Sequence, residues 1–266
     1  MKRIKTLVIA LLGLFLLNCE DREPILKTES LVVKSPDEII PLDSVHVRPV
    51  LYENIPSFAQ LTVDESKDKF IAAVLPAILV AQHEMESDRN KINELSNKEQ
   101  WDDEDSSYYL TQLDRFNANN IEDLQQRMIA LPPSLVLAQA AVESGWGSSR
   151  FFREGNNLFG IWSYSNNEPR MEAKYDRGER SIYLRTYKNI SASITDYFET
   201  LGRSRAYSDL RVAASKSSKA SDLLPYLKYY SEKREAYVAQ LQKIIDQNNL
   251  YQYDNRQIDP AYFVSE

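Results

Sequence analysis

The chain has 266 residues, of which 43% are hydrophobic, and its formal net charge at pH 7 is −7. This length allows one substantial core or two small ones in an ordinary globular protein. The acidic balance, with no basic stretch to form a binding face, argues against nucleic acid as a partner. Seven glycines are few, which favours a helical architecture. One cysteine and two histidines exclude a disulfide within this sequence and argue against a multi-histidine metal site.

The first residues have the pattern of a secretory signal. A basic start at 1–5 precedes an apolar run at 7–17, which is too short for a membrane span of about 20 residues. The run ends at Asn18 and Cys19, a pair that resembles a bacterial lipoprotein cleavage box. We therefore predict a lipoprotein-type signal peptide over 1–19, with Cys19 as the lipidated residue. Asn18 departs from the small residue preferred there, so a plain cleaved signal and an uncleaved anchor remain alternatives.

The next stretch, residues 20–64, carries five prolines and scattered charges without a helical period. We predict an extended tether, with a short strand at 31–33 or 44–47. Such a spacer would let an anchored domain reach its substrate. An ordinary disordered lead-in, with no required length, has the same pattern.

Helical periodicity begins beyond the tether. It predicts one long helix over 67–95, which Pro76 should kink. The acidic stretch 100–105 is predicted as a loop. Two more helices, over 107–118 and 121–130, would support the following helix from behind.

The following helix is the one that carries the chemistry. Pro132 and Pro133 suit its first turn, where backbone amides have no intrahelical partner, and Gly145 is the expected stop. Residues 135–142 are apolar on every face except at Gln139. The sequence therefore predicts a helix buried inside a larger protein.

Glu143 lies at the end of this predicted helix. The negative end of the helix dipole and poor hydration both favour the protonated form of its carboxyl group. Glu143 is therefore a candidate general acid. A glutamate that reaches solvent as the helix frays, or that pairs with Arg150, is the alternative.

Two motifs support the catalytic interpretation. Ala-Gln-Ala-Ala-Val-Glu-Ser-Gly-Trp-Gly at 138–147 is followed by Asn-Asn-Leu-Phe-Gly-Ile-Trp at 156–162. In this order and spacing they resemble the glucosaminidase domain of glycoside hydrolase family 73 and, within it, the bacterial Bax-type proteins. The resemblance runs from about residue 67 to 215. It implies a mainly α, lysozyme-like helical lobe with a small β-hairpin lobe flanking a glycan groove, acting on peptidoglycan glycan strands with Glu143 as the acid. We expect no cofactor and no metal.

Two alternating runs around a glycine-containing turn predict a β-hairpin within 171–187. In the family that the chain resembles, this lobe contributes a second acidic residue followed by a tyrosine. Tyr175 matches that tyrosine, but Lys174 stands where the glutamate is expected. Glu172 and Glu179 are the candidate substitutes for the second carboxylate, and each is equally well a solvated hairpin charge. A substrate-assisted route through the acetamido group is the family's proposed alternative.

Four aromatic residues are candidates for stacking on sugar rings: Trp146, Phe159, Trp162 and Tyr175. We assign Tyr175 and Trp162 to the groove as substrate-binding residues, and Trp146 and Phe159 to packing. Asn157 would either hydrogen-bond an N-acetyl group or cap the next turn.

The remaining sequence completes a catalytic domain over 65–250, followed by a C-terminal tail over 251–266. Further helices are predicted over 191–201, 206–214, 220–230 and 234–248. The sequence thus predicts a monomeric endo-β-N-acetylglucosaminidase of the bacterial cell envelope, lipid-anchored to a membrane and facing the periplasm or the exterior. A lytic transglycosylase, which needs only one acid, and a non-catalytic peptidoglycan-binding envelope protein are the alternatives.

Overall fold

A computed structural model describes residues 24–173 and 181–265 of the chain. The helices are Val63–Asn97 (α1), Asp103–Phe116 (α2), Ile121–Arg127 (α3), Pro133–Ser144 (α4), Arg150–Gly155 (α5), Ile190–Arg203 (α6), Ser208–Ala214 (α7), Ala220–Leu223 (α8) and Glu235–Gln247 (α9). The strands are Ile25–Leu26 (β1), Glu29–Leu31 (β2), His46–Val47 (β3), Val50–Tyr52 (β4), Arg170–Glu172 (β5), Tyr183–Arg185 (β6), Gln257–Ile258 (β7) and Phe263–Val264 (β8). The prediction of a mainly α protein is confirmed.

Helix α1 is the long scaffold of the domain. Its start is fixed by a capping box: the Thr62 hydroxyl accepts from the Glu65 amide at 3.3 Å, and the Glu65 carboxylate accepts from the Thr62 amide at 2.9 Å. The helix is buried throughout 70–81, where α4 and α6 pack against it. Pro76 lies inside this continuous helix and does not end it. The buried stretch of α1 is therefore the floor on which the other helices rest.

The acidic stretch after α1 begins a helix, whereas the sequence predicted a loop. Asp102 caps α2, because its carboxylate accepts from the Asp105 amide at 2.8 Å. Asp105 is itself buried and forms ion pairs with Lys91, at 3.5 Å, and with Lys98. Acidic side chains in the first turn of a helix interact favourably with the positive end of the helix dipole. This interaction explains why the acidic stretch is helical.

Residues 24–58 pack onto the helices, which corrects the predicted extended tether over its described part. Strand β2 pairs in parallel with β4, with Glu29 opposite Val50. The Tyr52 hydroxyl accepts a hydrogen bond from the Ile40 amide at 2.9 Å. Proline is compatible with the ends of short strands. The prolines of this segment therefore disfavour a helix but do not prevent the segment from being buried. The buried apolar side chains join the same core as the helices: Val33, Ile39, Val47, Val50, Leu51, Tyr52, Ile55 and Phe58.

Residues 250–264 also pack, in contrast to the predicted tail. Strand β7 pairs in parallel with β3, and β8 pairs antiparallel with β1. The Asp254 carboxylate accepts from the Ser134 amide at 2.7 Å and from the Ser134 hydroxyl at 2.8 Å. Helix α4 begins at two prolines without a side-chain cap of its own, so Asp254 supplies one from the far end of the chain.

The predicted β-hairpin is confirmed in its strands. β5 pairs antiparallel with β6, with Met171 opposite Leu184, and the turn between them lies outside the described residues. Arg185 on β6 pairs with Asp196 on α6 at 2.7 Å, and the Tyr187 hydroxyl donates to the same carboxylate at 2.7 Å. These contacts attach the hairpin to the helical lobe. In the described ranges, no helix is long and apolar enough to cross a bilayer.

Candidate active site

Helix α4 carries Glu143 in its last turn. The helix is buried from Pro133 to Ala141 and ends where Gly145 adopts the left-handed φ of 57°. The predicted start and stop of this helix are therefore confirmed. Glu143 follows this buried stretch of the helix, and its side chain is exposed to solvent. The helix thus presents an accessible carboxyl group at the end of an otherwise buried segment.

The pKa of Glu143 is raised above its ordinary value. The largest cause is desolvation by the protein packed around the carboxyl group, which one solvent-exposed side does not cancel. A hydrogen bond from Tyr237 and the positive charge of Lys233 act in the opposite direction and are weaker. The negative end of the α4 dipole adds to the effect of desolvation. Glu143 therefore keeps its proton to a higher pH than an exposed glutamic acid does, as a general acid requires.

A chain of hydrogen bonds ends on Glu143. The Tyr237 hydroxyl on α9 donates to Glu143 Oε1 at 2.8 Å. Gln139, fully buried one turn earlier on α4, donates from Nε2 to the Tyr237 hydroxyl at 3.2 Å, and its Oε1 accepts from Tyr197. Because Gln139 occupies the acceptor side of the Tyr237 hydroxyl, the phenolic proton is directed at Glu143. Glu143 Oε1 is thereby committed as an acceptor, which leaves Oε2 to carry a transferable proton.

Stacked aromatic rings hold this hydrogen-bonded chain in place. Tyr230 stacks on Tyr237 with ring centroids 5.9 Å apart, and Phe159 stacks on Tyr197 at 4.2 Å. Burial raises the pKa of Tyr207 to about 12 and the pKa values of Tyr197 and Tyr237 well above their ordinary range. These phenols therefore stay neutral near pH 7 and act as O–H donors. Phe159 packs in the core, in agreement with its sequence assignment.

The Asn157 side chain is buried against the backbone, which favours the predicted cap over the predicted contact with a substrate N-acetyl group. Its side chain is only 2% exposed. The side-chain amide donates to the carbonyls of Ile161 and Arg185, both at 2.9 Å, and its oxygen accepts from the Ile161 amide at 3.0 Å. The local cap that the sequence left open is therefore its role. Asn157 closes the loop before Trp162 and ties that loop to β6.

Trp162 lies on the hairpin side of the molecule with an exposed ring. Its backbone forms a β-bridge with Leu184, and its side chain is 46% exposed. Tyr164, also exposed, has its ring centroid 6.3 Å away. Trp162 thus remains a candidate sugar-stacking residue, whereas Trp146 packs edge-on against Phe70 at 5.5 Å. Tyr175, the other aromatic residue assigned to the groove, lies outside the described residues.

The second carboxylate stays a prediction. Glu172 is exposed at the end of β5, where its carboxylate accepts from the Tyr183 hydroxyl at 3.4 Å. Glu179 falls outside the described residues. Glu168 is excluded by its contacts, because it accepts from the Ser163 hydroxyl at 2.7 Å and pairs with Arg185 at 3.0 Å. These contacts keep the pKa of Glu168 low, despite opposing desolvation, and make it a structural carboxylate.

Comparison with known protein families identifies the family to which the chain belongs. Residues 118–250 match the family model for glucosaminidase, described as mannosyl-glycoprotein endo-β-N-acetylglucosaminidase. The chain belongs to the glucosaminidase family. The matched range contains the residues of the hydrogen-bonded chain and the motifs at 138–147 and 156–162.

Several bacterial proteins are similar to this chain. Protein bax of Escherichia coli (strain K12) is 26% identical over 188 residues, which cover 64% of this chain and 65% of that protein. The peptidoglycan hydrolase FlgJ of Escherichia coli O157:H7 is 32% identical over 130 residues, covering 45% of this chain and 40% of FlgJ. The chain thus spans less than two thirds of the length of either relative. The catalytic domain of the autolysin Auto from Listeria monocytogenes gives a TM-score of 0.39 at 23% identity and covers 62% of this chain and 96% of that domain.

The sequence analysis did not identify two residues of the candidate site as functional residues. Tyr237 appeared only as part of a late helix, although it contacts Glu143 directly. Gln139 was noted only as the polar exception in an apolar helix. Its position four residues before Glu143, on the same helical face, is the signal that could have identified it. In the ranges 24–173 and 181–265, no group of three or more acidic, histidine or cysteine residues could hold a metal ion.

Proposed function

We propose that this glucosaminidase is a peptidoglycan hydrolase that cleaves glycan strands as an endo-β-N-acetylglucosaminidase, with Glu143 as general acid. The observation that carries the proposal is the environment of Glu143: an accessible carboxyl group with a raised pKa at the end of a buried helix, held by Tyr237. Family membership and the likeness to the peptidoglycan hydrolase FlgJ support the same substrate class.

The chemistry assigned to Glu143 follows from its two oxygens. Protonated Oε2 gives its proton to the glycosidic oxygen as the bond to the sugar breaks, so the leaving strand departs as a neutral alcohol. The carboxylate that forms is stabilised by the hydrogen bond that Oε1 accepts from Tyr237. A water molecule then completes hydrolysis at the sugar carbon. Glu172 is the candidate carboxylate in the described ranges that would activate this water or form a covalent intermediate.

Product analysis tests the reaction. Purified peptidoglycan is digested with the soluble domain, reduced with borohydride and analysed by mass spectrometry, with Glu143→Gln alongside. We expect reduced N-acetylglucosamine ends from the natural protein and a loss of about 10²–10⁴-fold in rate with the variant. Glu122→Gln makes the same chemical change at an exposed position on α3 and is the matched control. Wild-type turnover by Glu143→Gln would overturn the assignment of the acid.

A lytic transglycosylase is the second candidate. The observation in its favour is that Glu172 is exposed and that, among the described residues, its carboxylate accepts only the 3.4 Å hydrogen bond from Tyr183. A transglycosylase needs a single acid, which Glu143 supplies. Anhydromuramic ends in the same mass spectra would establish it, and the absence of any new end on several wall types would favour a non-catalytic peptidoglycan-binding protein.

The proposed location is the bacterial cell envelope, on the periplasmic or exterior side of a membrane, where peptidoglycan lies. Cys19, the residue proposed to carry the lipid anchor, lies outside the described residues. Cys19→Ala should move the protein from the membrane fraction to the soluble fraction of fractionated cells, and retention in the membrane fraction would contradict lipid anchoring. We expect the soluble domain to be a monomer, which light scattering in solution checks.

A further inference from the structure

A pocket lies at the carboxyl end of α4. Its volume is about 400 Å³, a size that suits a small ligand or a substituent of a larger one. One part of its wall is the loop after the acid, with Gly145 and Trp146, and another part is the segment 57–63 that leads into α1. Because Gly145 follows Glu143 by two positions, the rim of the pocket lies within about 7 Å of the Glu143 backbone.

The charged residues that line this pocket are both cations, Lys67 and Arg153, and no carboxylate accompanies them. Arg153 Nε is buried and has no hydrogen-bond partner among the described residues. Lys67 Nζ lies 5.3 Å from the ring centroid of Trp146, and it forms no salt bridge within the described residues. A partly desolvated cation without a counter-ion is unfavourable, and an anionic ligand would relieve that cost. In a chain with a net charge of −7, this pocket is a local positive site.

The rest of the lining combines apolar side chains with the hydroxyl groups of Ser57, Ser66 and Ser148. Phe58, Leu61, Val63 and Trp146 are the large apolar residues of the lining, and Val63 is 71% exposed. A ligand that matches both features carries a carboxylate beside small aliphatic groups. The peptide stems of peptidoglycan have this chemistry, since their amino acids present free carboxylates and alanine methyl groups.

We propose that this pocket binds a carboxylate-bearing residue of the peptide stem, and that it thereby favours peptide-substituted glycan strands at Glu143. The inference rests on peptidoglycan being the substrate. Segment 57–63 lies outside the range 118–250 that the family model matches, so one wall is built from residues beyond the matched domain. The packing of 24–58 onto the helices holds that wall in place.

Direct binding is the first test. The probe is a soluble stem tripeptide, L-alanyl-γ-D-glutamyl-diaminopimelate, titrated calorimetrically into the Glu143→Gln protein. Its fully amidated counterpart, which has the same size without free carboxylates, is the matched control ligand. We expect Lys67→Gln and Arg153→Gln each to weaken binding of the free acid by about tenfold or more, the scale of one charge-assisted hydrogen bond. Lys67→Arg keeps the charge and should restore binding, which separates charge from folding.

Cleavage is the second test. The natural protein, Lys67→Gln and an exposed control, Lys243→Gln, are compared on intact peptidoglycan and on strands stripped of peptides by an amidase. We expect Lys67→Gln to lower kcat/KM about tenfold on the intact substrate and to leave the stripped strands unaffected. Equal effects on both substrates, or tripeptide binding that survives Lys67→Gln and Arg153→Gln, overturn the pocket assignment. If the tripeptide binds as expected but no glycan is cleaved, the proposed hydrolase falls and the pocket stands.

Discussion

The Tyr237 hydroxyl donates to the Glu143 carboxylate at 2.8 Å, although the two residues are 94 positions apart in sequence. The packing of α9 against α4 brings them together. Gln139, also on α4, donates to the Tyr237 hydroxyl and thereby directs the phenolic proton toward the acid. The hydrogen bonding of the candidate acid therefore depends on its own helix, α4, and on a second helix that is distant in sequence, α9.

Removing this hydroxyl should change how the rate depends on pH. The Tyr237 hydrogen bond lowers the pKa of Glu143 against the larger effect of desolvation, so Tyr237→Phe should raise that pKa further. The alkaline limb of the kcat/KM profile then moves to higher pH, because the acid keeps its proton longer. Loss of the hydrogen bond to the forming carboxylate should cost about 1.5–3 kcal/mol in transition-state stabilisation. A pH–rate series on peptidoglycan measures both effects.

Tyr207→Phe is the control for that experiment. Tyr207 belongs to the same aromatic group, with its ring 6.5 Å from Tyr230, and makes no hydrogen bond to Glu143 in the described part of the chain. It should leave the alkaline limb in place. A Tyr237→Phe profile that coincides with the wild-type profile would contradict the role given to this hydroxyl.

The raised pKa of Glu143 also predicts how stability depends on pH. The folded state binds the proton more tightly than the unfolded chain does, so the favourable contribution is complete below the ordinary value of 4.5. That contribution is lost as the pH rises through the folded-state pKa. Glu143→Gln should therefore match the natural protein near pH 4 and equal or exceed its Tm at pH 7.5. Thermal unfolding followed by circular dichroism at several pH values checks this, and a clear loss of Tm at pH 7.5 would argue against the raised pKa.

Gln139→Leu should damage both stability and activity. It leaves the buried Tyr197 hydroxyl without its acceptor, at a cost of about 1–3 kcal/mol in the free energy of unfolding. It also removes the hydrogen bond from Gln139 that orients the Tyr237 hydroxyl toward Glu143. The rate of glycan cleavage should therefore fall. Because both residues act through one hydrogen-bonded chain, Gln139→Leu combined with Tyr237→Phe should lower activity by less than the sum of the single effects. A double-mutant cycle in kcat/KM tests this, and strict additivity would show that the two residues act independently.

Tyr52→Ala tests whether the N-terminal segment is part of the folded domain. Tyr52 is 1% exposed and packs in the shared core, so its truncation should lower the free energy of unfolding by about 3–5 kcal/mol. Val45→Ala, in the same segment but 56% exposed, should change it by about 0.5 kcal/mol or less. Urea denaturation of the soluble domain provides both numbers. A detached tether would make the two variants indistinguishable.

The sequence was most informative where local signals are strong. The prolines at 132 and 133, the glycine at 145 and the apolar residues between them predicted α4 and put Glu143 at its end, as the structure has it. Alternation predicted β5 and β6 in the same way. The sequence allowed two roles for Asn157, a contact with a substrate N-acetyl group or a cap. Its hydrogen bonds to the carbonyls of Ile161 and Arg185, which only the structure reveals, favour the cap.

The contacts that the sequence did not predict are distant along the chain. The strands β1 to β4 have two or three residues each, too few to show a period of two. Two of them, β1 and β3, pair with strands more than 200 positions away, and this distance hides their partners from any local pattern. For this reason the prolines of 20–64 suggested a tether. Tyr237 was missed for the same reason, because no local sequence pattern around Tyr237 indicates a contact with Glu143.

The pairing of β1 with β8 places Ile25 opposite Val264, so the two ends of the described chain meet at one edge of the domain. Paired residues in such a ladder have Cα atoms about 5 Å apart. A fluorescent protein fused after residue 265 would therefore report the surroundings of residue 25. If Cys19 carries the proposed lipid, Ile25 follows it by six positions, and a chain of that length spans at most about 20 Å. The domain would then lie against the bilayer, and glycan strands would reach Glu143 only where the wall itself comes close to the membrane.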